Sequence, residues 1–154
     1  MITLEDLKEM NEQEVLEHLA KEYSGNKSGF DYGEISENDI KVAKEKLQNM
    51  QVLIAYESVG SWGCDSSSYF LLRDKIESKM FEVHGSHCSC YGFEGQLDLE
   101  ETNVKALIHR AENGNVFYCG GYDDNETENQ RAVKECILSF KNKATAESWL
   151  KCEL

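Results

Sequence analysis

The chain of 154 residues has no proline. Average usage would place roughly eight in a chain of this length. Its turns must therefore be made by Gly, Asn, Asp and Ser, and no X-Pro bond can restrict folding. No apolar run reaches the roughly 20 residues that a helix needs to cross a bilayer, which excludes a membrane-spanning helix. Positive charge is also scarce. Sixteen Lys and Arg stand against 29 Asp and Glu, a net charge of −13. A surface of that sign repels phosphate backbones, so direct nucleic-acid binding through a basic patch is excluded as an expectation. Also missing are a glycine-rich phosphate loop, an HExxH pair and a G-x-S-x-G elbow, so the reading leans away from an enzyme. The opening Met1–Asp6 has no basic region followed by an apolar one, so a cytoplasmic location with reduced thiols is expected.

What is present is globular in composition, with 40% hydrophobic and 29% charged residues. One domain over 1–154 is the expectation. Residues 1–50 hold 12 acids and 6 bases, 51–100 hold 8 and 3, and 101–154 hold 9 and 7, so acidity is spread along the chain rather than gathered in a tail. Cap residues followed three positions later by a carboxylate (Thr3 with Asp6, Asn11 with Glu14, Ser36 with Asp39) predict a helical turn over 4–9, a helix over 12–23 and another after Ser36. Leu16, Leu19, Ala20 and Tyr23 form the apolar stripe of the second of these; Ile40, Ala43 and Leu47 form that of the third. Strands are predicted at 52–59, 68–74, 80–84 and 116–119, with helices over 101–112 and about 125–141. The short connections between the first three strands require an antiparallel meander. The predicted class is α+β: an antiparallel sheet of three to five strands, helices packed on one face, and helices at both ends of the chain.

Chemistry concentrates between His84 and Gln96, HGSHCSCYGFEGQ, which carries two of the four histidines and two of the six cysteines. Imidazole and thiolate are the usual zinc ligands, so His84, His87, Cys88 and Cys90 are the candidate metal residues, with Cys64 or Cys119 completing a site from another loop. Their spacing does not match the usual zinc loops, and no cofactor is the first expectation. Alternatively Cys88 or Cys90, with His84 or His87 as base, could act as a nucleophile. The bland reading keeps these atoms structural: Gly85, Gly92 and Gly95 turn the chain, Ser86, Ser89 and Gln96 satisfy its amides, and Tyr91 and Phe93 anchor it. Trp62, His84, His87, Tyr91, Phe93 and Glu94 are the candidate binding residues, Trp62 because tryptophan is enriched in interaction hot spots. Elsewhere, His18 is read as a surface imidazole, His109 as half-buried, and Cys136 as core.

The segment FEVHGSHCSCYGFEGQLDLEE (Phe81–Glu101), with the preceding SYFLLRDK, resembles small uncharacterised proteins of bacteriophages and mobile elements. Their pattern is a strand, G-S-H-C-S-C-Y-G, then E-G-Q and an acidic stretch opening a helix. The likeness covers about a third of the chain, and where that pattern has Trp-x-Pro after E-G-Q this chain has Leu97-Asp98-Leu99. The resemblance implies provenance, a phage-type protein made in a bacterial cytoplasm, and carries no residue roles. Charge and provenance together lead to the expectation of an accessory protein that binds a host protein through a basic surface and inhibits it. A defence or nucleic-acid-handling enzyme is the kind of target expected. The rivals are the zinc or thiol protein at residues 84–90 and a binder of a small signalling nucleotide. The sequence fixes no oligomeric state.

Overall fold

The structure is a computed structural model, and it describes residues 10–25, 35–59, 66–87, 93–113 and 128–139. The predicted helical turn at 4–9 and strand at 116–119 lie outside these residues.

Helix α1 (Glu12–Tyr23) begins at Asn11, whose side chain accepts a hydrogen bond from the Glu14 amide at 2.8 Å. Helix α2 (Glu37–Leu47) begins at Ser36 with a reciprocal capping box to Asp39. Each cap satisfies backbone donors that the first turn cannot pair internally, worth about 1 kcal/mol. Gly25, at φ +97°, ends α1 in a conformation that side chains disfavour. Four strands follow in order β1 (Met50–Val59), β2 (Ser66–Asp74), β3 (Met80–His87) and β4 (Glu100–Thr102). They form an antiparallel sheet in the same spatial order. Helix α3 (Val104–Asn113) starts from Asn103, whose side chain accepts from the Ala106 amide; α4 spans Glu128–Ser139.

The α+β class, the antiparallel sheet and the helices towards both ends of the chain are as expected. The helices divide between both faces of the sheet, however, rather than sharing one. Val52, Ala55, Phe70, Leu72 and Val83 pack under α1 and α2, with Phe93 among them. Leu53, Ile54, Tyr56, Tyr69, Leu71 and Met80 pack under α3 and α4. The strands are apolar on both sides, so a single helical layer would leave one face wet. A bulge at Leu53, where the register passes from Val52↔Leu72 to Ile54↔Leu71, makes consecutive Leu53 and Ile54 face the same layer.

Two further local readings change. β3 continues through Gly85, Ser86 and His87, which pair with Ser68, Ser67 and Ser66, where the sequence suggests a loop. The segment before α3 is not helical but forms β4, because Asn103 sets the helix start three residues later than the apolar period implies.

Candidate functional site

The described part of the dense segment builds a clamp. Register through the β2–β3 turn points the backbone groups of Ser86 away from β2, towards the side of β4. β4 does not reach that far. The Gln96 side chain takes the place of a strand there: its Oε1 accepts from the Ser86 amide and its Nε2 donates to the Ser86 carbonyl, both at 2.7 Å. Phe93 to Gln96 makes a turn with Gly95 at φ +73°. The Gly95 and Leu97 amides then donate to the carbonyls of Ser24 and Tyr23 at the end of α1. Residues 86 and 96 are thereby held together at the base of the intervening segment.

Beneath the clamp lies a buried polar cluster. Glu57, Ser68 and Gly85 occupy one cross-strand row. Glu57, only 1% exposed, accepts from the Tyr23 hydroxyl at 2.6 Å, and its Oε1 lies 3.2 Å from His18 Nε2. With its one proton committed to the carboxylate, the Tyr23 oxygen is left to accept from Ser68 Oγ, 2.8 Å away. Burial, and then the charge of Glu57, push the Tyr23 phenol well above its ordinary value, so it stays a donor. The Tyr23 ring stacks on Phe93 at 4.5 Å and 7°. A Cβ at position 85 would overlap Ser68 Oγ and lie 2.8 Å from Tyr23 Cε2 and 3.0 Å from Phe93 Cδ1, so only glycine fits. The cluster ties α1 and the clamp to the sheet.

A second cluster lies on the opposite face. Glu82 Oε2 takes the Arg110 guanidinium of α3 and lies 3.2 Å from His84 Nε2. Burial raises the Glu82 carboxyl, but hydrogen bonds from His84 and Arg110, with their charge, outweigh it and hold the group below its ordinary value. Hydrogen bonding to the ionised carboxylate places a proton on His84 Nε2. Nδ1 is buried and has no hydrogen-bond partner among the described residues. An imidazole held by a carboxylate through one nitrogen is the orientation used by metal-ligating and proton-transferring histidines.

Of the residues singled out in the sequence, His84 joins this second cluster, Phe93 is buried as the stacking partner of Tyr23, and Glu94 is half-buried on the clamp turn. His87 closes β3. Trp62, Cys64, Cys88, Cys90, Tyr91 and Cys119 lie outside the described residues. Among the described residues no group of three His, Cys, Asp or Glu side chains could hold a metal ion.

Three expectations are corrected. His18 is 8% exposed, drawn in by Glu57 rather than left at the surface. His109 is exposed, because Leu107 and Ala111 take the inward face of α3. Cys136 is buried on α4, as read, but it is disulfide-bonded rather than a free thiol; every other cysteine lies outside the described residues.

The sequence alone does not single out Glu57 and Glu82, although it carries a signal for both. Each is an acid inside a predicted strand, and a buried carboxylate must find donors.

The outer edge carries the clearest surface feature. From Phe93 to Val104 there are four carboxylates (Glu94, Asp98, Glu100 and Glu101) and no Lys or Arg. Asp98, Glu100 and Glu101 are exposed along the clamp and β4, the last strand of the sheet. Among the described residues no helix is long and apolar enough to cross a membrane. Comparison with known proteins finds no matching family model, curated protein or solved structure, so a role must be argued from this geometry.

Proposed function

We propose that the chain is a phage-type accessory protein that docks its carboxylate-rich edge on a basic surface of a host protein and inhibits it. An enzyme that handles nucleic acid, in defence or replication, presents such a surface. The observation that carries the reading is the strip Glu94, Asp98, Glu100 and Glu101, unrelieved by any base from 93 to 104. Charge on an edge strand also blocks sheet-to-sheet pairing, which protects the same surface from aggregation. At physiological salt the field of such a strip reaches about 8 Å, so it steers and orients a partner already close by. The test is a pull-down from bacterial lysate at low salt with the wild-type chain and the charge-swapped Glu100→Lys/Glu101→Lys variant. Capture of one basic protein by the wild type and its loss in the variant is expected. Equal capture by both, or none by either, refutes the reading.

A second reading is favoured by one observation, the Glu82-oriented His84 at the start of the Cys/His segment. In that reading His84 serves as a zinc ligand or as a base for the thiols of Cys88 and Cys90. Stoichiometric zinc in the purified chain, lost in His84→Ala, supports the metal version. Alkylation of Cys88 or Cys90 at neutral pH that slows in the same variant supports the thiol version, and neither result leaves the protein-binding role standing alone.

A further inference from the structure

The described sheet ends on β1 and on β4, and the two edges are finished differently. The β1 edge is closed. Its Val52 amide is taken by the Glu12 carboxylate at 2.8 Å, and Ala55, Tyr56 and Glu57 are all buried. The β4 edge is open, with Glu100 and Glu101 both exposed.

The register shows which main-chain groups that open edge offers. The Asp74 amide donates to the Lys79 carbonyl, so Phe81, Val83 and Gly85 turn their backbone groups to β2, while Met80, Glu82 and His84 turn theirs to the other side. Glu82 with Glu100 and Met80 with Thr102 are therefore the hydrogen-bonded pairs. Glu101, opposite Phe81 between them, directs its N–H and C=O outwards, where none of the described residues meets them. The side chains divide as well. Glu101 shares the face of Phe81, which packs under α1 and α2; Glu100 shares that of Glu82, which Arg110 holds from α3. The free donor and acceptor thus lie between one exposed carboxylate on each face. Among the described residues neither carboxylate has an ion-pair partner, and Lys79, just before β3, is drawn to within 3.6 Å of Glu77.

We propose that this edge receives its partner by strand addition: an extended segment with consecutive Lys or Arg residues pairs with the main chain of Glu101 and continues the sheet. The proposal rests on the docking role given above to the acidic edge and adds how the contact is made. Charge complementarity selects the occupant. Successive side chains of a strand point to opposite faces, so only consecutive bases meet Glu100 and Glu101 together; bases at alternate positions reach one of them. A second copy of this edge would set carboxylate against carboxylate, so the repulsion that keeps copies apart admits a basic strand. Main-chain bonds supply affinity in such a contact and the side chains specificity.

The test uses the full chain, labelled with nitrogen-15, and a blocked peptide of sequence Thr-Lys-Arg-Lys-Thr. A second peptide of the same sequence, methylated on every main-chain nitrogen, keeps the charge and cannot donate to the edge. With the first peptide at ten times its Kd, exchange of the Glu101 amide should slow about tenfold, while the already paired Glu100 and Thr102 amides change little. The methylated peptide should give no such protection, and Glu100→Lys/Glu101→Lys should weaken binding of the first at least about tenfold at low salt. Equal binding by the methylated peptide, or binding without slowing at Glu101, would overturn strand addition; loss of lysate capture in the charge-swapped variant would then still uphold the acidic edge as a side-chain dock. Shifts elsewhere, or no saturable binding, would overturn the proposal whatever the lysate yields. Protection at Glu101 that grows with chain concentration alone would assign the edge to a second copy and overturn it equally. Slowing at Glu101 by the peptide without any capture from lysate would uphold strand addition and remove the host partner.

Discussion

Gly85→Ala tests the packing beneath the clamp. The added Cβ meets three groups at once, and the nearest, Ser68 Oγ, sits on the neighbouring strand. The Tyr23 ring cannot yield cheaply, since its hydroxyl is tied to Glu57 and its face to Phe93. Overpacking of a tight core costs about 1–3 kcal/mol, while replacing glycine within a strand returns about 0.5–1 kcal/mol of backbone entropy. The net expectation is a loss of about 1 kcal/mol. Ser68→Ala alone removes a hydrogen bond to Tyr23 and costs about 1 kcal/mol. It also removes the atom that the new methyl strikes, so the double variant should fall short of the sum by roughly 1 kcal/mol. Urea unfolding followed by circular dichroism, with unchanged slope, measures all four corners of the cycle. A Gly85→Ala chain as stable as the wild type, or strict additivity with Ser68→Ala, refutes the reasoning.

Tyr23→Phe leaves buried Glu57 without its shortest donor and should cost about 1–2 kcal/mol in the same assay. Because the folded phenol lies above the unfolded value near 10, its contribution is whole below that pH and lost as pH rises through the folded value; the variant should lose this alkaline dependence. Glu82 runs the other way: its folded value is depressed, so its contribution is present above about 4.5 and lost as pH falls through the folded value. Arg110→Ala should cost about 1–2 kcal/mol at neutral pH, discounted for the partial exposure of Arg110, and shift acid unfolding to higher pH. Glu82→Leu with Arg110→Leu should cost less than Arg110→Ala alone, since no buried charge is then left unpaired; a larger cost would contradict the account. Alkylation of the denatured, unreduced protein should label at most four of the six cysteines, because Cys136 and its partner are bonded; labelling of all six would show that the bond is not formed.

The elements that local chemistry dictates were legible. Asn11 with Glu14 and Ser36 with Asp39 mark helix starts because a side-chain oxygen three residues ahead of an amide is a local geometry. The runs in β1 and β2 read as strands because both faces are apolar. What failed depends on residues far apart in the chain. Gly85 and Ser86 look like loop by composition; they are strand because Ser66–Ser68 face them on one side and Gln96 covers the other. Glu100-Glu101-Thr102 before Val104 reads as a charged helix start, and only pairing with Met80–Glu82 makes it β4. His18 falls off the leucine stripe of α1, and nothing local announces that Glu57, 39 residues on, will draw it inward.

The two Glu–His pairs share a physical role that their separate geometry does not show. A strand register is normally specified by apolar side chains that must face the core, and a slip of one residue turns them outward. At the end of the sheet where β2 begins, the row partners are Ser66, Ser67 and Ser68 against His87, Ser86 and Gly85, with almost no apolar surface to resist a slip. The polar clusters supply that resistance. A one-residue shift of β3 would carry Glu82 away from Arg110 into the layer under α1 and set a side chain where Tyr23 leaves room only for glycine. Both errors strand a buried charge or force an overlap, and each costs more than the few apolar contacts there could recover. Hydrocarbon at these positions could match the stability without specifying the alignment. Glu82 and the close contact of Gly85 with Tyr23 thus set where β3 ends and the clamp begins, and so the position of the acidic edge.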